Sequence, residues 1–291
     1  MESIKKDKKL LACTFSGGRT SAFMGKFLSV YEKYKNFDKV FMFANTGKEK
    51  EETLQFIDRC DKEWNLNVVW LEAKINKEKG VGTTYKIVNF ETASRNGEPF
   101  EDMLNAYSIP TNIASNCTRE LKGNPLDKYK KHLKEKFGYT EVVTAMGIRY
   151  DERHRKSNYA EQNNWIYPLC DDIKVDYQFI RKFWDSQCFD LKLKDYQGNC
   201  DLCFKKSVRK RLTLIKEEPR IADWWLEMEN KYSTEAIPRF DLRTNKSVQQ
   251  LISESKQPFR TIEDVHELNK KQGSFFSEEM DYETDCFCKA T

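Results

Sequence analysis

At 291 residues, with 39% hydrophobic and 33% charged residues, the chain has the make-up of a globular protein that can bury a full core, which excludes a disordered one. No apolar stretch approaches the ~20 residues that a membrane-spanning helix needs, and the Lys-rich start lacks the apolar core of a secretory signal, so the reading is a cytoplasmic protein with no membrane partner. The formal net charge of +4 is too small to argue for nucleic acid by itself, and nine cysteines in a cytosolic chain read as thiols or metal ligands rather than disulfides.

In chain order, Leu10-Leu11-Ala12-Cys13-Thr14-Phe15 reads as a buried strand, after which Phe23, Phe27, Tyr31 and Tyr34 recur at helical spacing. Lys39 to Phe43 predicts a second strand, Glu49 to about Trp64 a helix with Leu54, Ile57 and Trp64 on one side, and Asn67 to Leu71 a third strand. Residues 73 to 111 are less regular, rich in polar and glycine positions, and suit a substrate loop or lid. A helix from about Pro125 to Phe137 leads into a fourth strand, Glu141 to Met146. Beyond Asn158 the pattern turns helical and aromatic, with helices expected over 175–186, 202–215 and 219–230; Phe183, Trp184, Trp224 and Trp225 read as core. Strands alternating with helices at this spacing favour an α/β fold, a doubly wound parallel sheet. Ligands in such sheets bind at the carboxyl ends of the strands. The expected division is a nucleotide-binding domain over 1–157 and a smaller, mainly helical region with cysteines over 158–291.

Between the first strand and the first helix stands Ser16-Gly17-Gly18-Arg19-Thr20-Ser21. Two glycines let the backbone approach an anion, the first amides of the helix point at it, and the helix dipole favours negative charge. The hydroxyls of Ser16, Thr20 and Ser21 add donors and Arg19 adds a cation. The plainer alternative is a serine-glycine turn capped by Ser21. Asn45-Thr46-Gly47 directly follows the second strand, which puts an amide, a hydroxyl and a flexible backbone beside the first loop, or simply a tight turn. Gly147-Ile148-Arg149 follows the fourth strand and opens a run of Arg149, Asp151, Glu152, Arg153, His154, Arg155 and Lys156. Arginine forks suit phosphate and sulfate oxygens; the alternative is a self-neutralising surface. Arg119 and Lys122, three apart, are candidates to bind substrate oxygens from one helical face.

The segments FSGGRTSAF, FANTGKEKEETLQFI, NCTRELKGNPL, MGIRYDERHR, YPL and GNCDLCFKKS, taken together over residues 15 to about 207, resemble the phosphoadenosine phosphosulfate reductase family, a branch of the PP-loop nucleotide alpha-hydrolases. The resemblance implies a Rossmann-like parallel sheet with ATP, accompanied by Mg2+, or a sulfonucleotide at the strand carboxyl ends. Motifs and resemblance together make Ser16, Gly17, Gly18, Arg19, Thr20, Ser21, Asn45, Thr46, Gly47, Arg119 and Gly147 the candidate nucleotide contacts, and an ATP pyrophosphatase would use Arg19, Lys122 and Arg149 for catalytic charge stabilisation. One departure is that many ATP-pyrophosphatase members carry Asp where this chain has Thr20.

Cys13, Cys60, Cys170 and Cys188 stand alone and read as small buried apolar residues. Cys200 and Cys203 form C-x2-C, and Cys286 and Cys288 form C-x-C near the C-terminus, so four thiolates could meet at one Zn2+ or one [4Fe-4S] cluster, with Cys117 as a further iron-sulfur candidate. Lys205, Lys206, Arg209, Lys210 and Arg211 follow the first pair and suit a polynucleotide backbone, a second phosphate, or a solvated helix face.

Three function classes follow. In the first, a PP-loop ATP pyrophosphatase adenylates an acceptor and releases pyrophosphate, in sulfur transfer. In the second, a sulfonucleotide reductase attacks the sulfate sulfur with Cys286 or Cys288. In the third, the protein only binds nucleotide within a complex. The retained Gly17-Gly18 pair favours the first, because a sulfonucleotide has no triphosphate to seat.

Overall fold

A computed structural model describes residues 7–271 except 77, 79, 80 and 113. The elements in order are β1 (Lys9–Thr14), α1 (Arg19–Val30), β2 (Phe37–Asn45), α2 (Glu51–Trp64), β3 (Val69–Lys74), β4 (Thr84–Val88), α3 (Glu98–Tyr107), α4 (Asn124–Phe137), β5 (Glu141–Ala145), β6 (Trp165–Ile166), α5 (Pro168–Asp171), α6 (Tyr177–Asp185), α7 (Val208–Glu217), α8 (Asp223–Tyr232), α9 (Val248–Ser255) and α10 (Ile262–Lys271). The strands form one sheet in the order β4-β3-β2-β1-β5-β6, with only the β3–β4 pairing antiparallel. This is an α/β, Rossmann-like sheet. The chain runs outward from β1 through β2 and β3, then returns to place β5 on the other side of β1, which makes the gap beyond the ends of β1 and β5 a topological switch point.

The period-two alternation of strands distributes the core. Leu11, Cys13, Phe41, Phe43 and Trp70 pack with Phe23, Leu28, Leu54 and Ile57 of α1 and α2, whereas Ala12, Met42 and Leu71 meet Leu126 and Tyr129 of α4 on the opposite face. Val175, Ile180, Trp184, Leu191 and Leu193 join the first of these cores, and β6 completes the sheet, so residues 165–193 are built into the sheet's own packing. A separate core of Phe100, Met103, Leu212, Ile215, Trp225, Met228, Phe240, Leu251 and Ile262 joins α3 to α7, α8, α9 and α10.

The segment read as irregular, 73–111, contains β4 and α3. The strand's alternation is masked because Ile87 lies on the exposed face and Lys86 reaches the buried Glu72 at 2.8 Å. The helix expected from Leu202 begins at Val208, where Ser207 caps it by accepting from the Lys210 N–H. No helix among the described residues is long and apolar enough to cross a membrane.

Candidate nucleotide site

The loop between β1 and α1 is shaped by its own side chains. Gly17 takes a left-handed conformation (φ +82°), and a Cβ there would lie 2.5 Å from Thr53 Cγ2 of α2, so the turn can lie against that helix only because the residue is glycine. The Ser16 N–H donates to Ser21 Oγ at 3.1 Å, and Ser21 Oγ donates to the Gly18 carbonyl at 2.9 Å, folding the chain over the start of α1. That start has no side-chain cap and no acidic residue in its first turn. The positive end of the dipole therefore faces outward without a carboxylate, the condition that suits an anion. Across the switch point, Gly147 passes so close that a Cβ on it would lie 3.2 Å from Ser21 Cα.

Arg149 follows on that second turn. Its buried guanidinium is held by Asp151 through Nε and Nη2, each at 3.0 Å, and its Nη1 donates to Thr20 Oγ1 at 3.2 Å and lies 3.3 Å from Glu152 Oε2. The two signals picked from sequence, 16–21 and 147–149, thus meet. Arg19 behaves differently. Its five N–H donors go to Asp190 (2.7 and 2.8 Å), the Leu191 and Leu193 carbonyls and Asp195, while its own carbonyl accepts from Trp184 Nε1. The fork expected on phosphate is instead a strut between the loop and residues 190–195.

The turn after β2 is also internally bonded. Asn45, fully buried, donates through Nδ2 to Glu72 Oε1 (2.6 Å) and the Ser94 carbonyl (2.8 Å), and its Oδ1 accepts from the Gly47 N–H (3.2 Å). Its amide fixes the turn rather than facing a ligand. Burial opposes ionisation of Glu72, but the bonds from Lys86, the Ser94 N–H, Asn45 and the Ser94 hydroxyl outweigh it and hold the carboxyl below its usual range. Thr46 donates to Glu49 Oε2 through both its N–H (2.9 Å) and its hydroxyl (2.8 Å), and Gly47 is left-handed (φ +77°). Arg119 and Lys122 lie in a π-helical turn, Thr118–Gly123, which directs them to different carboxylates: Arg119 Nε to Glu120 (2.7 Å) and Lys122 Nζ towards Glu49 (3.6 Å).

A family model described as the phosphoadenosine phosphosulfate reductase domain matches residues 10–167, the span that carries β1 through β6 and both turns of the switch point. The chain belongs to this family. The chain is 32% identical over 208 residues to the uncharacterized nin region protein ORF290 of Escherichia phage lambda, covering 70% of this chain and 69% of that one. Among solved structures it is similar to the U34-tRNA thiolase NcsA from Methanococcus maripaludis with its [4Fe-4S] cluster, at 16% identity and a TM-score of 0.34, covering 87% of this chain and 73% of that chain.

In this phosphoadenosine phosphosulfate reductase family member, the C-x2-C turn docks onto the turn after β2. Cys200 pairs with Glu49 as an isolated antiparallel bridge, the Asp201 N–H donates to the Lys48 carbonyl (2.8 Å), and Cys200 Sγ lies 3.5 Å from Thr46 Oγ1. Cys200 and Cys203 are both buried. Cys286 and Cys288 lie outside the described residues, and among those described no three His, Cys, Asp or Glu side chains are gathered for a metal. The described turn supplies two thiols, with the half-buried Cys117 packed against the same core, and the other two sequence candidates lie outside the described residues. For magnesium the loop supplies the hydroxyls of Ser16, Thr20 and Ser21 and no carboxylate, and the carboxylates of Asp151 and Glu152 are already paired with Arg149. Of the basic run after Cys203, Lys206 and Arg211 are buried, Lys206 on the Asp201 carbonyl (3.0 Å) and Arg211 on Asp241, while Lys205 reaches Thr118 Oγ1 (3.4 Å). Those three do not form one solvent-facing basic strip.

Sequence reasoning passed over Glu49, Glu72, Ser94 and Asp190. Two of these had signals: Thr46-x-x-Glu49 has the spacing of a capping box, and Glu72 is a lone acid in an apolar strand.

Proposed function

We propose that this protein is a PP-loop nucleotide enzyme that seats ATP on residues 16–21 and adenylates an acceptor in sulfur transfer. An acceptor oxygen attacks the α-phosphorus, pyrophosphate leaves, and the acceptor carries AMP. A sulfur nucleophile then displaces AMP and takes the oxygen's place. Positioning and charge stabilisation do most of the work in such transfers. The loop amides and the uncapped start of α1 hold the phosphates, Arg149 offsets charge beside Thr20, and Lys122 lies near the second turn. The observation that supports the reading is the left-handed Gly17 turn, packed on Thr53 and followed by the uncapped start of α1, with Gly147 passing close to Ser21 at the switch point.

Membership of a family described by phosphosulfate reduction favours a second reading, in which a thiolate attacks the sulfate sulfur of a sulfonucleotide, the nucleotide leaves, and an added thiol reductant frees sulfite from the S-sulfonated cysteine. Its nucleophile, Cys286 or Cys288, would come from outside the described residues. Incubation with ATP labelled at the α-phosphate, in the presence of pooled RNA, DNA and small-metabolite acceptors, separates the two. Labelled AMP is expected. Labelled ADP, or no ATP product alongside sulfite release from the sulfonucleotide that Cys288→Ser abolishes, would replace the first reading with another.

A further inference from the structure

We infer that this site balances the charge of its bound phosphates with the Arg149 guanidinium docked on Thr20, and so holds the nucleotide with little dependence on a divalent cation. The inference rests on the nucleotide reading above and adds how that site is charged; it concerns binding, not the chemical step.

Three features carry it. The loop offers hydroxyls and backbone amides, which donate to phosphate oxygens, whereas protein sites for Mg2+ usually supply one or two carboxylates beside the phosphates. The carboxylates at this corner, Asp151 and Glu152, are occupied: Asp151 spans Nε and Nη2 of Arg149, and Glu152 lies between Arg149 and Arg155. Arg149 itself is 8% exposed, its guanidinium 5.5 Å from the Tyr177 ring centre and bonded to Thr20 in the first turn of α1. A guanidinium stays charged at every working pH, and burial strengthens its field.

A buried cation thus lies against the positive end of a helix dipole, bonded to Thr20 through Nη1 and paired with Asp151 and Glu152. An oxyanion entering between the loop amides and Arg149 meets both positive features at once, and exchanges the Arg149–Thr20 hydrogen bond for a charge-assisted one. A carboxylate at position 20 would take that place, pairing with Arg149 and repelling phosphate.

The test is equilibrium binding of ATP to the full-length protein with excess Mg2+ and with excess EDTA, for the wild type, Thr20→Asp and Arg149→Gln, each checked for native unfolding behaviour. Wild-type affinity should change by less than about threefold between the two conditions. Each variant should lose about tenfold or more in EDTA, about 1.4 kcal/mol and the size of one charge-assisted bond, and recover much of it with Mg2+. A wild type that loses about tenfold in EDTA overturns the inference, as does Arg149→Gln or Thr20→Asp binding like the wild type without metal. If the wild type binds ATP in neither condition, the nucleotide reading fails and takes this inference with it.

Discussion

Replacing Gly17 by alanine sets two costs against each other's absence at Gly18, one residue away. At Gly17 a side chain must adopt φ +82°, where an L-residue pays roughly 1–2 kcal/mol, and its Cβ would come within 2.5 Å of Thr53 Cγ2 and 3.2 Å of Ile57 Cδ1. Thr53 is buried and β-branched, so it cannot rotate aside cheaply, and overpacking of this kind costs about 1–3 kcal/mol. The sum is a loss of about 2–5 kcal/mol. At Gly18 the backbone is extended (φ −96°, ψ 161°), and the nearest atom to a new Cβ is Ser16 Oγ at 3.8 Å. Gly18→Ala should therefore stay within about 0.5 kcal/mol of the wild type. Urea unfolding of both variants, with ATP binding measured on each, is the assay. Gly17→Ala should be the less stable and the weaker binder. The reasoning is refuted if Gly17→Ala unfolds within ~0.5 kcal/mol of the wild type, or if Gly18→Ala is the worse of the two.

Glu72→Gln should cost about 1–3 kcal/mol at neutral pH, because a neutral amide cannot accept all the bonds from Asn45, Ser94 and Lys86. Glu72 has a folded pKa below its usual 4.5, so its contribution is complete above that value and lost as pH falls through the lower folded one; unfolding midpoints between about pH 6 and 3 should fall more steeply for the wild type than for the variant, and parallel curves would contradict this. Arg19→Ala should destabilise by about 2–3 kcal/mol through loss of the Asp190 fork, with Arg19→Lys recovering part of it in thermal unfolding; full stability in the alanine variant would show that the strut is dispensable. Arg211→Ala, which strands Asp241 in the core beside α7, should cost about 3–5 kcal/mol, whereas the double variant Arg211→Met, Asp241→Leu should lie much nearer the wild type. Equal losses in the single and double variants would argue against the buried-charge explanation.

Much of the fold was legible because its signals are local. The apolar run Leu10 to Phe15, the glycine loop and the recurring aromatics of α1 each follow from period and turn chemistry, and so did the strand–helix alternation as far as β5. β4 and α3 were not legible: a five-residue edge strand with Ile87 outward and Lys86 bonded to Glu72 has no one-sided apolar pattern. The meeting of the two turns was legible where glycine lets backbones approach, at Gly17 and Gly147, and where a cation follows a strand, at Arg149. Partnerships across long separations were not. Nothing in residues 16–21 announces that Arg19 will meet Asp190, or that Asn45 will spend its amide on Glu72 and Ser94, because those contacts arise only when the sheet places distant turns together. The run from Lys205 to Arg211 illustrates the same limit, since Lys206 and Arg211 turn into the fold.

The measurement that tests the proposed nucleotide site most directly is hydrogen exchange of the full-length protein with and without ATP, read peptide by peptide. Slowed exchange concentrated over residues 17–21, the proposed phosphate cradle, with a smaller effect at 147–149 across the switch point, is the predicted result. Protection confined to the helical region from Val208 onward, or none at all at saturating ATP, would contradict it.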